Sequence, residues 1–403
     1  MKAAVCFWRL GPYHHARLKA AAGRMEVTAV EYSESDHIYR WDHVDGAQGF
    51  VRRTIQPVAQ LGAAGRLRAF RMMFRELDGS GADVVAVPGW SMPDALSALL
   101  WSCRRRRGAV IMSESTRWDS PRSRVGEAVK RRIIGLAGAG LAGGTPHAGY
   151  LAELGMKRER IHLGYNAVDN DHFACGAVPH RNGRCAPDCR GRLPRPSFLT
   201  SARFVPQKNL EMLVRSYHRY LSTYPDEAAG AWDLVMVGDG PEKAEIAALA
   251  GRLGLGGRVH LPGFLQYDQL SEYYGHASAF VLASSSEPWG LVVNEAMASG
   301  LPVLVSSRCG CAEDLVSEGQ NGYLFDPESE EQLSVLMGRL SSAGFPLSDH
   351  GKSSERIIAA WSPQRFAEGL EAAGRDAVQL AGRRRPLSGQ LAALLMIFRT
   401  NSV

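Results

Sequence analysis

Short, nearly unbroken apolar runs alternate along the first half of the chain with longer stretches that turn apolar every third or fourth residue. KAAVCFW (2–8), MEVTAVEY (25–32), ADVVAVPG (82–89), AVIMSES (109–115), AGLAGGT (139–145) and IHLGYN (161–166) read as strands. Between them HHARLKAAAGRM (14–25), VAQLGAAGRLRAFRMMFREL (58–77), MPDALSALLWSCRRR (92–106), AVKRRIIGLAG (128–138) and HAGYLAELG (147–155) read as helices. Strands that are apolar at successive positions are buried on both faces. Alternation with helices then predicts a parallel sheet covered on both sides.

Residues 174–196, ACGAVPHRNGRCAPDCRGRLPRP, have no period and are rich in Gly, Pro and Arg, which predicts a linker. The alternation then resumes. FLTSARF, WDLVMVGDG, VHLPG, AFVLASS, PVLVSS and NGYLFD read as strands, with helical patterns between them. SEEQLSVLMGRLSSA and PQRFAEGLEAAGRDAV close the chain as helices. The predicted organisation is an α/β domain over 1–173, the linker, a second α/β domain over 197–362, and a helical segment over 363–403 that packs back towards the first domain. Two doubly wound domains facing across a cleft would bind ligands outside the carboxyl ends of their strands and close around them.

Composition narrows the class. At 403 residues, 45% apolar and 22% charged, the chain is long enough for two globular cores without disulfides. Its seven cysteines, odd in number and scattered, suit a reducing cytoplasm. The start, MKAAVCFWRLGPYHHARL, has too short an apolar run for a signal peptide, and no run of about 18 apolar residues predicts a membrane span. The net charge of +6 is uneven, with 25 Lys+Arg against 17 Asp+Glu in residues 1–180. Arg104 to Arg107 are consecutive, and Arg117, Arg122, Arg124, Lys130, Arg131 and Arg132 follow. Such a face is either simply solvated or drawn to anionic headgroups or a phosphorylated acceptor, as in peripheral contact with the inner membrane surface. No basic motif interleaved with aromatics is present, so nucleic acid is not an expected partner.

Candidate chemistry gathers in SSSEPWGLVVNEAMASGLPVLVSS (284–307). A strand ends at a Pro-Trp-Gly turn, where Gly290 permits close backbone approach to a ligand, and a helix begins whose first N–H groups favour an anion. Glu287 precedes the helix and Glu295 lies one turn inside it, so the two carboxylates can hold opposite ends of an extended polar ligand. In TSARFVPQKN, Arg203 and Lys208 fall at a strand–loop–helix junction and suit a diphosphate, the first as a fork and the second as a point charge.

Glu287 to Glu295 followed by AMASGLPVLVS, together with SARFVPQKNL, VMVGDGPEK, GYNAVDNDHF and VSEGQNGYLFDP, resembles the retaining GT-B glycosyltransferases, in particular glycosyltransferase family 4 (glycosyl transferases group 1). The likeness runs in order through residues 160–375. It implies two Rossmann-like domains, the first binding acceptor and the second a nucleotide-sugar donor. It further implies a hexosyltransferase moving a sugar to a hydroxyl acceptor in polysaccharide or lipid-linked glycan assembly. The donor, a UDP- or GDP-sugar, would be a co-substrate, with no other cofactor. Glu295 would bind its ribose and Glu287 the transferred sugar. Backbone groups of Trp289, Gly290, Leu291 and Val292 would meet sugar and phosphates, Gly238 would lie in the family's glycine turn, and Gly263 and Phe264 would border the base. Arg203 and Lys208 would neutralise the diphosphate in place of a metal ion.

The first half departs from that pattern. The family's Gly-Gly loop is here Leu10-Gly11-Pro12, with Gly11 left to approach the donor. A histidine common after the strand equivalent to AVIMSES is replaced by Ser113-Glu114-Ser115, so Glu114 or another residue takes the catalytic-side contact. His14, His15 and Trp90 are acceptor-side candidates. Cys175, His180, Cys185 and Cys189 have intervals unlike a standard zinc finger. Two other functions compete. A nucleotide-dependent oxidoreductase lacks support, because the Gly238-Asp239-Gly240 turn has no third glycine at the dinucleotide spacing. A nucleotide-sugar binder without catalysis would fit the Glu114 departure.

Overall fold

The computed structural model describes residues 1–33, 49–55, 63–119, 121–181, 196–224 and 230–398. The chain divides into two units, one formed by Met1–Ala167 with Ser362–Val403, the other by Val168–Trp361.

Unit 1 contains β1 (Lys2–Phe7), α1 (Pro12–Ala22), β2 (Glu26–Glu31), β3 (Val51–Thr54), α2 (Ala63–Ser80), β4 (Val84–Pro88), α3 (Pro93–Arg105), β5 (Gly108–Ser113), α4 (Arg124–Ile134), β6 (Ala139–Ala142), α5 (Thr145–Glu153) and β7 (Ile161–Leu163). Its seven strands pair in the order β3-β2-β1-β4-β5-β6-β7, and every pairing is parallel. The unbroken apolar run of β1 serves both faces. Ala3, Val5 and Phe7 join one core layer, and Ala4 and Cys6 join the other.

Unit 2 contains α6 (Asn170–Arg181), β8 (Ser197–Ser201), α7 (Leu210–Thr223), β9 (Asp233–Val237), α8 (Lys243–Arg252), β10 (Val259–Gly263), α9 (Tyr267–His276), β11 (Ala279–Leu282), α10 (Leu291–Ala298), β12 (Val303–Ser306), α11 (Ala312–Leu315), β13 (Gly322–Phe325), α12 (Glu330–Ser341) and α13 (Leu347–Ala359). Its six-stranded parallel sheet runs β10-β9-β8-β11-β12-β13. One core layer joins Phe198, Leu234, Met236, Val281 and Leu304 from the strands to Leu213 and Tyr217 of α7 and Leu333 and Met337 of α12. The chain then returns to unit 1 as α14 (Pro363–Gln379) and α15 (Leu387–Phe398). Phe366, Leu370, Ala373 and Ala377 of α14 complete the layer under Val5 and Val110.

Three elements differ from the sequence reading. Residues 174–181, expected as linker, are the end of α6, while 182–195, including Cys185 and Cys189, lie outside the described residues. The short strand VRRT and the helix LSDHGKSSERIIA were not anticipated. β3 exists through its neighbour: Arg52 forks onto both carboxylate oxygens of the fully buried Glu31 at 2.9 Å, and the Thr54 hydroxyl donates to the same group at 3.0 Å. The Leu10 N–H adds a further bond at 2.8 Å, so this buried acid is fully engaged.

Asp94 is the contrasting case. It opens α3 at 2% exposure, and its Oδ1 has no hydrogen-bond partner among the described residues. Burial pushes its carboxyl up to about 6, against the pull of its own and Ala95's backbone N–H groups. A carboxyl raised from 3.8 in the unfolded chain holds its proton longer when folded, so its contribution is present below pH ~4 and is lost as the pH rises through about 6. The loss amounts to roughly 3 kcal/mol at most. Urea unfolding across pH 4–8 should therefore show a fall in stability between about pH 4 and 6 that Asp94→Asn removes. Equal slopes in the two proteins would contradict this.

Candidate active site

In both sheets the strand order reverses beside the first strand. In unit 2 the reversal falls between β8 and β11, and the loops leaving their carboxyl ends flank the crevice where doubly wound sheets bind ligands. The loop after β8 carries Arg203 and Lys208; the loop after β11 carries Glu287. The Ser285 N–H donates to the Gln207 carbonyl at 2.9 Å, which ties the two loops together. The Lys208 ammonium donates to Glu287 Oε2, with side-chain exposures of 18% and 12%. The Ser284 hydroxyl donates to that same oxygen at 3.3 Å, so both contacts fall on Oε2 and neither uses Oε1. Arg203 stands exposed two residues past β8.

A third loop, after β12, holds the backbone of Glu287 in place. The Gly310 N–H donates to the Glu287 carbonyl at 2.9 Å and the Cys311 N–H to the Trp289 carbonyl at 3.1 Å. Cys309 and Cys311 are buried here; desolvation raises both thiols, with the neighbouring Cys311 adding to the effect on Cys309 and Glu287 to both, so they stay protonated and unreactive. Gly290 caps α10 at φ +103°, and a Cβ there would lie 2.9 Å from Leu282 Cδ2. The side chain of Trp289 is a core group at 1% exposure: its indole N–H donates to Asn294 Oδ1 at 2.8 Å and its ring lies 5.1 Å from that of Trp361. Only its backbone is on offer to a ligand. Leu291 and Val292 are half-buried in the first turn of α10.

Glu295 is fully buried, and the Tyr274 hydroxyl donates to its Oε2 at 2.6 Å. Burial, and then the Glu295 charge, raise Tyr274 well above the ordinary phenol range; the same causes raise Tyr267. Both phenols therefore remain donors. Sequence reasoning missed them, although their seven-residue spacing sets them two turns apart on one face of α9. Gly238 follows β9 at φ +135°, and its N–H donates to the Gly263 carbonyl at 2.8 Å. A Cβ on Gly238 would lie 1.8 Å from the Ala202 carbonyl oxygen, so no other residue fits there. Phe264, beside Gly263, is 39% exposed.

In unit 1 the reversal falls between β1 and β4. The Gly11 N–H donates to His14 Nδ1 at 3.1 Å, which caps α1 with an imidazole. Burial, then the Arg17 charge, hold His14 well below its usual range, so its ring is neutral and the proton falls to Nε2. The same device recurs after β6, where Gly144 N–H donates to His147 Nδ1 at 3.1 Å, a repeat the sequence reading did not use. Arg17 is buried, donates to the Tyr165 carbonyl at 2.7 Å, and has its guanidinium carbon 5.4 Å from the Tyr165 ring centre. Burial lowers its pKa, while the Tyr165 oxygen and the carboxylate of Glu114 work in the opposite direction. Glu114 is itself exposed at the end of β5. His15 lies 5.3 Å from Phe50, ring centre to ring centre. Trp90 is 6% exposed, edge-on to Tyr150 at 6.1 Å, and belongs to the core.

Residues 192–356, within which the unit 2 site residues lie, match the family model of glycosyl transferases group 1. Among curated proteins, the sulfoquinovosyl transferase SQD2 of Arabidopsis thaliana is 42% identical over 101 residues, 24% of this chain and 19% of its own length. The D-inositol 3-phosphate glycosyltransferase of Acidothermus cellulolyticus is 32% identical over 198 residues, 47% of this chain and 43% of its own. The chain thus spans less than half the length of these relatives. Among solved structures, Anabaena Alr3699/HepE in complex with UDP and glucose superposes with a TM-score of 0.68 at 18% identity, covering 92% of this chain and 98% of that one. At that identity the likeness is one of fold, two Rossmann-like α/β domains as in GT-B glycosyltransferases. The segment that carries Lys208, Glu287 and Glu295 is therefore of the glycosyl transferases group 1 kind.

Proposed function

We propose that this protein is a retaining glycosyltransferase of family 4 that moves a hexose from a UDP- or GDP-sugar to a hydroxyl acceptor. The observation that carries this reading is the Lys208–Glu287 pair at the strand-order reversal of unit 2, with Glu295 on the adjoining helix. Lys208 has two further N–H donors for a diphosphate, and the exposed Arg203 supplies a second cation in the same loop. Together they meet the charge that develops on the leaving diphosphate without a divalent ion. Glu287 offers Oε1 to a sugar hydroxyl, and Glu295, held by Tyr274, takes the ribose. The transferred sugar keeps its anomeric configuration, with the donor phosphate taking the acceptor's proton on the same face. UDP is the first candidate, because HepE of the same fold is solved with UDP and glucose.

Unit 1 takes the acceptor, with the His14 Nε2–H, His15 and Glu114 as its polar candidates. The acceptor belongs to polysaccharide or lipid-linked glycan assembly, and the protein works in the cytoplasm against the inner face of the membrane. No helix among the described residues is long and apolar enough to cross a bilayer, but α15 is built to lie on one. Gly389, Ala393 and Ile397 are buried, whereas Leu387, Leu391 and Leu395 are 75%, 60% and 74% exposed, each stripe repeating every four residues. Arg383 and Arg384 stand exposed just before it, and the sequence from 377 to 403 contains no Asp or Glu.

Two measurements test this reading. A thermal-shift panel of UDP, GDP, ADP, their sugars and NAD(H) should find one nucleoside diphosphate that raises Tm by about 5–10 °C at a hundredfold excess over Kd. Glu295→Ala should abolish the shift, and Lys208→Ala should reduce it for the diphosphate more than for the nucleoside. A response to NAD(H) alone, or to no nucleotide, would overturn the assignment. In co-sedimentation, the full chain should bind vesicles rich in anionic phospholipid and not zwitterionic ones. Leu391→Asp with Leu395→Asp should release it; binding unchanged by that pair would remove α15 from the account.

A further inference from the structure

In unit 2, α6 and α9 lie side by side and run in the same direction. Near their first turns His172 stacks on Tyr267 with ring centres 4.3 Å apart and planes at 17°. Eight residues on in α6 and nine in α9, His180 faces His276 with ring centres 5.4 Å apart. The close approach depends on two glycines in the seam. A Cβ on Gly176 would lie 2.5 Å from Ser271 Cβ, and one on Gly275 would lie 2.5 Å from the Ala177 carbonyl oxygen and 2.7 Å from His180 Cβ. Glu272 precedes His276 by four residues and so shares its face of α9. One ligand atom from each of His180, Glu272 and His276 lies within 4.8 Å of the other two.

We propose that these three side chains bind a divalent transition-metal ion, zinc in the first instance. Two imidazoles and a carboxylate are a donor set zinc accepts, with water as the fourth ligand. Bonds of about 2.0–2.2 Å place the ligand atoms of a tetrahedral site about 3.4 Å apart. The remaining gap, at most about 1.4 Å, closes by turning His χ2 and Glu χ3, both broad torsions. Arg181, next to His180, pairs with Glu355 at 3.5 Å, which offsets its charge near the ion. The sequence spacing grouped His180 with three cysteines, whereas the fold gives it partners on another helix, and Cys175 stands exposed on α6. A bound ion would clasp α6 to α9, the helix that brings Tyr267 and Tyr274 to Glu295. Its role is structural, and it does not rest on the transferase reading.

The test uses the untagged full-length chain, stripped with a chelator and titrated with zinc against a chromophoric competitor. One zinc per chain should bind and raise Tm. His180→Gln and His276→Ala should each weaken binding more than about tenfold. Cobalt in place of zinc should give a tetrahedral visible spectrum without thiolate charge-transfer bands. The apo variants are compared with apo wild type by circular dichroism and melting. If His276→Ala fails to fold, His180→Gln at the helix end decides alone. No binding, an adventitious ion only (unchanged affinity in the folded variants), or a thiolate spectrum would each overturn the proposal.

Discussion

A lysine and a glutamate brought out of bulk water in one loop cluster are each costly alone and tolerable together, and the loops at the strand-order reversal of unit 2 are organised around that constraint. Lys208 reaches Glu287 only because the sheet order reverses between β8 and β11, so that two chain segments far apart in sequence leave the sheet side by side. The backbone bonds from Ser285 to Gln207, from Gly310 to Glu287 and from Cys311 to Trp289 then hold the backbone on both sides of that carboxylate. A site held this way presents charge without reorganising when ligand arrives, which is how preorganised electrostatics lowers a barrier.

The same economy of charge appears elsewhere with different solutions. Glu31 is buried and fully bonded, whereas Asp94 is buried with one oxygen unengaged and keeps its proton to a higher pH than an ordinary carboxyl. Glu295 keeps its place through a tyrosine donor that burial prevents from ionising. In unit 1, Arg17 is stabilised by carbonyls, aromatic rings and the field of Glu114, while its charge helps to keep His14 neutral.

Much of the fold was legible because both sheets are parallel and covered on two sides, which writes each strand as an apolar run. What escaped was decided by tertiary contacts. VRRT carries a single apolar residue, and β3 forms because Glu31 needs Arg52 and Thr54. The Gly and Pro of 174–181 read as a linker, yet Gly176 is a packing contact with α9 and the helix continues through Pro179. LSDHGKSSERIIA is polar and interrupted by Gly351, whose place is set by the backbone of Gly300 against it. At the site, the residue types and spacing pointed to Lys208, Glu287 and Glu295. Tyr274 was invisible because a phenol in an amphipathic helix has no signature until the acid it faces is known.

The most direct test is a crystal structure of the full chain with the nucleoside diphosphate that binds it. The account predicts diphosphate oxygens about 2.7–2.9 Å from Lys208 Nζ and ribose hydroxyls on the Glu295 carboxylate, with Tyr274 still donating to it. A nucleotide seated away from the loops after β8 and β11, or a ribose that does not touch Glu295, would contradict it.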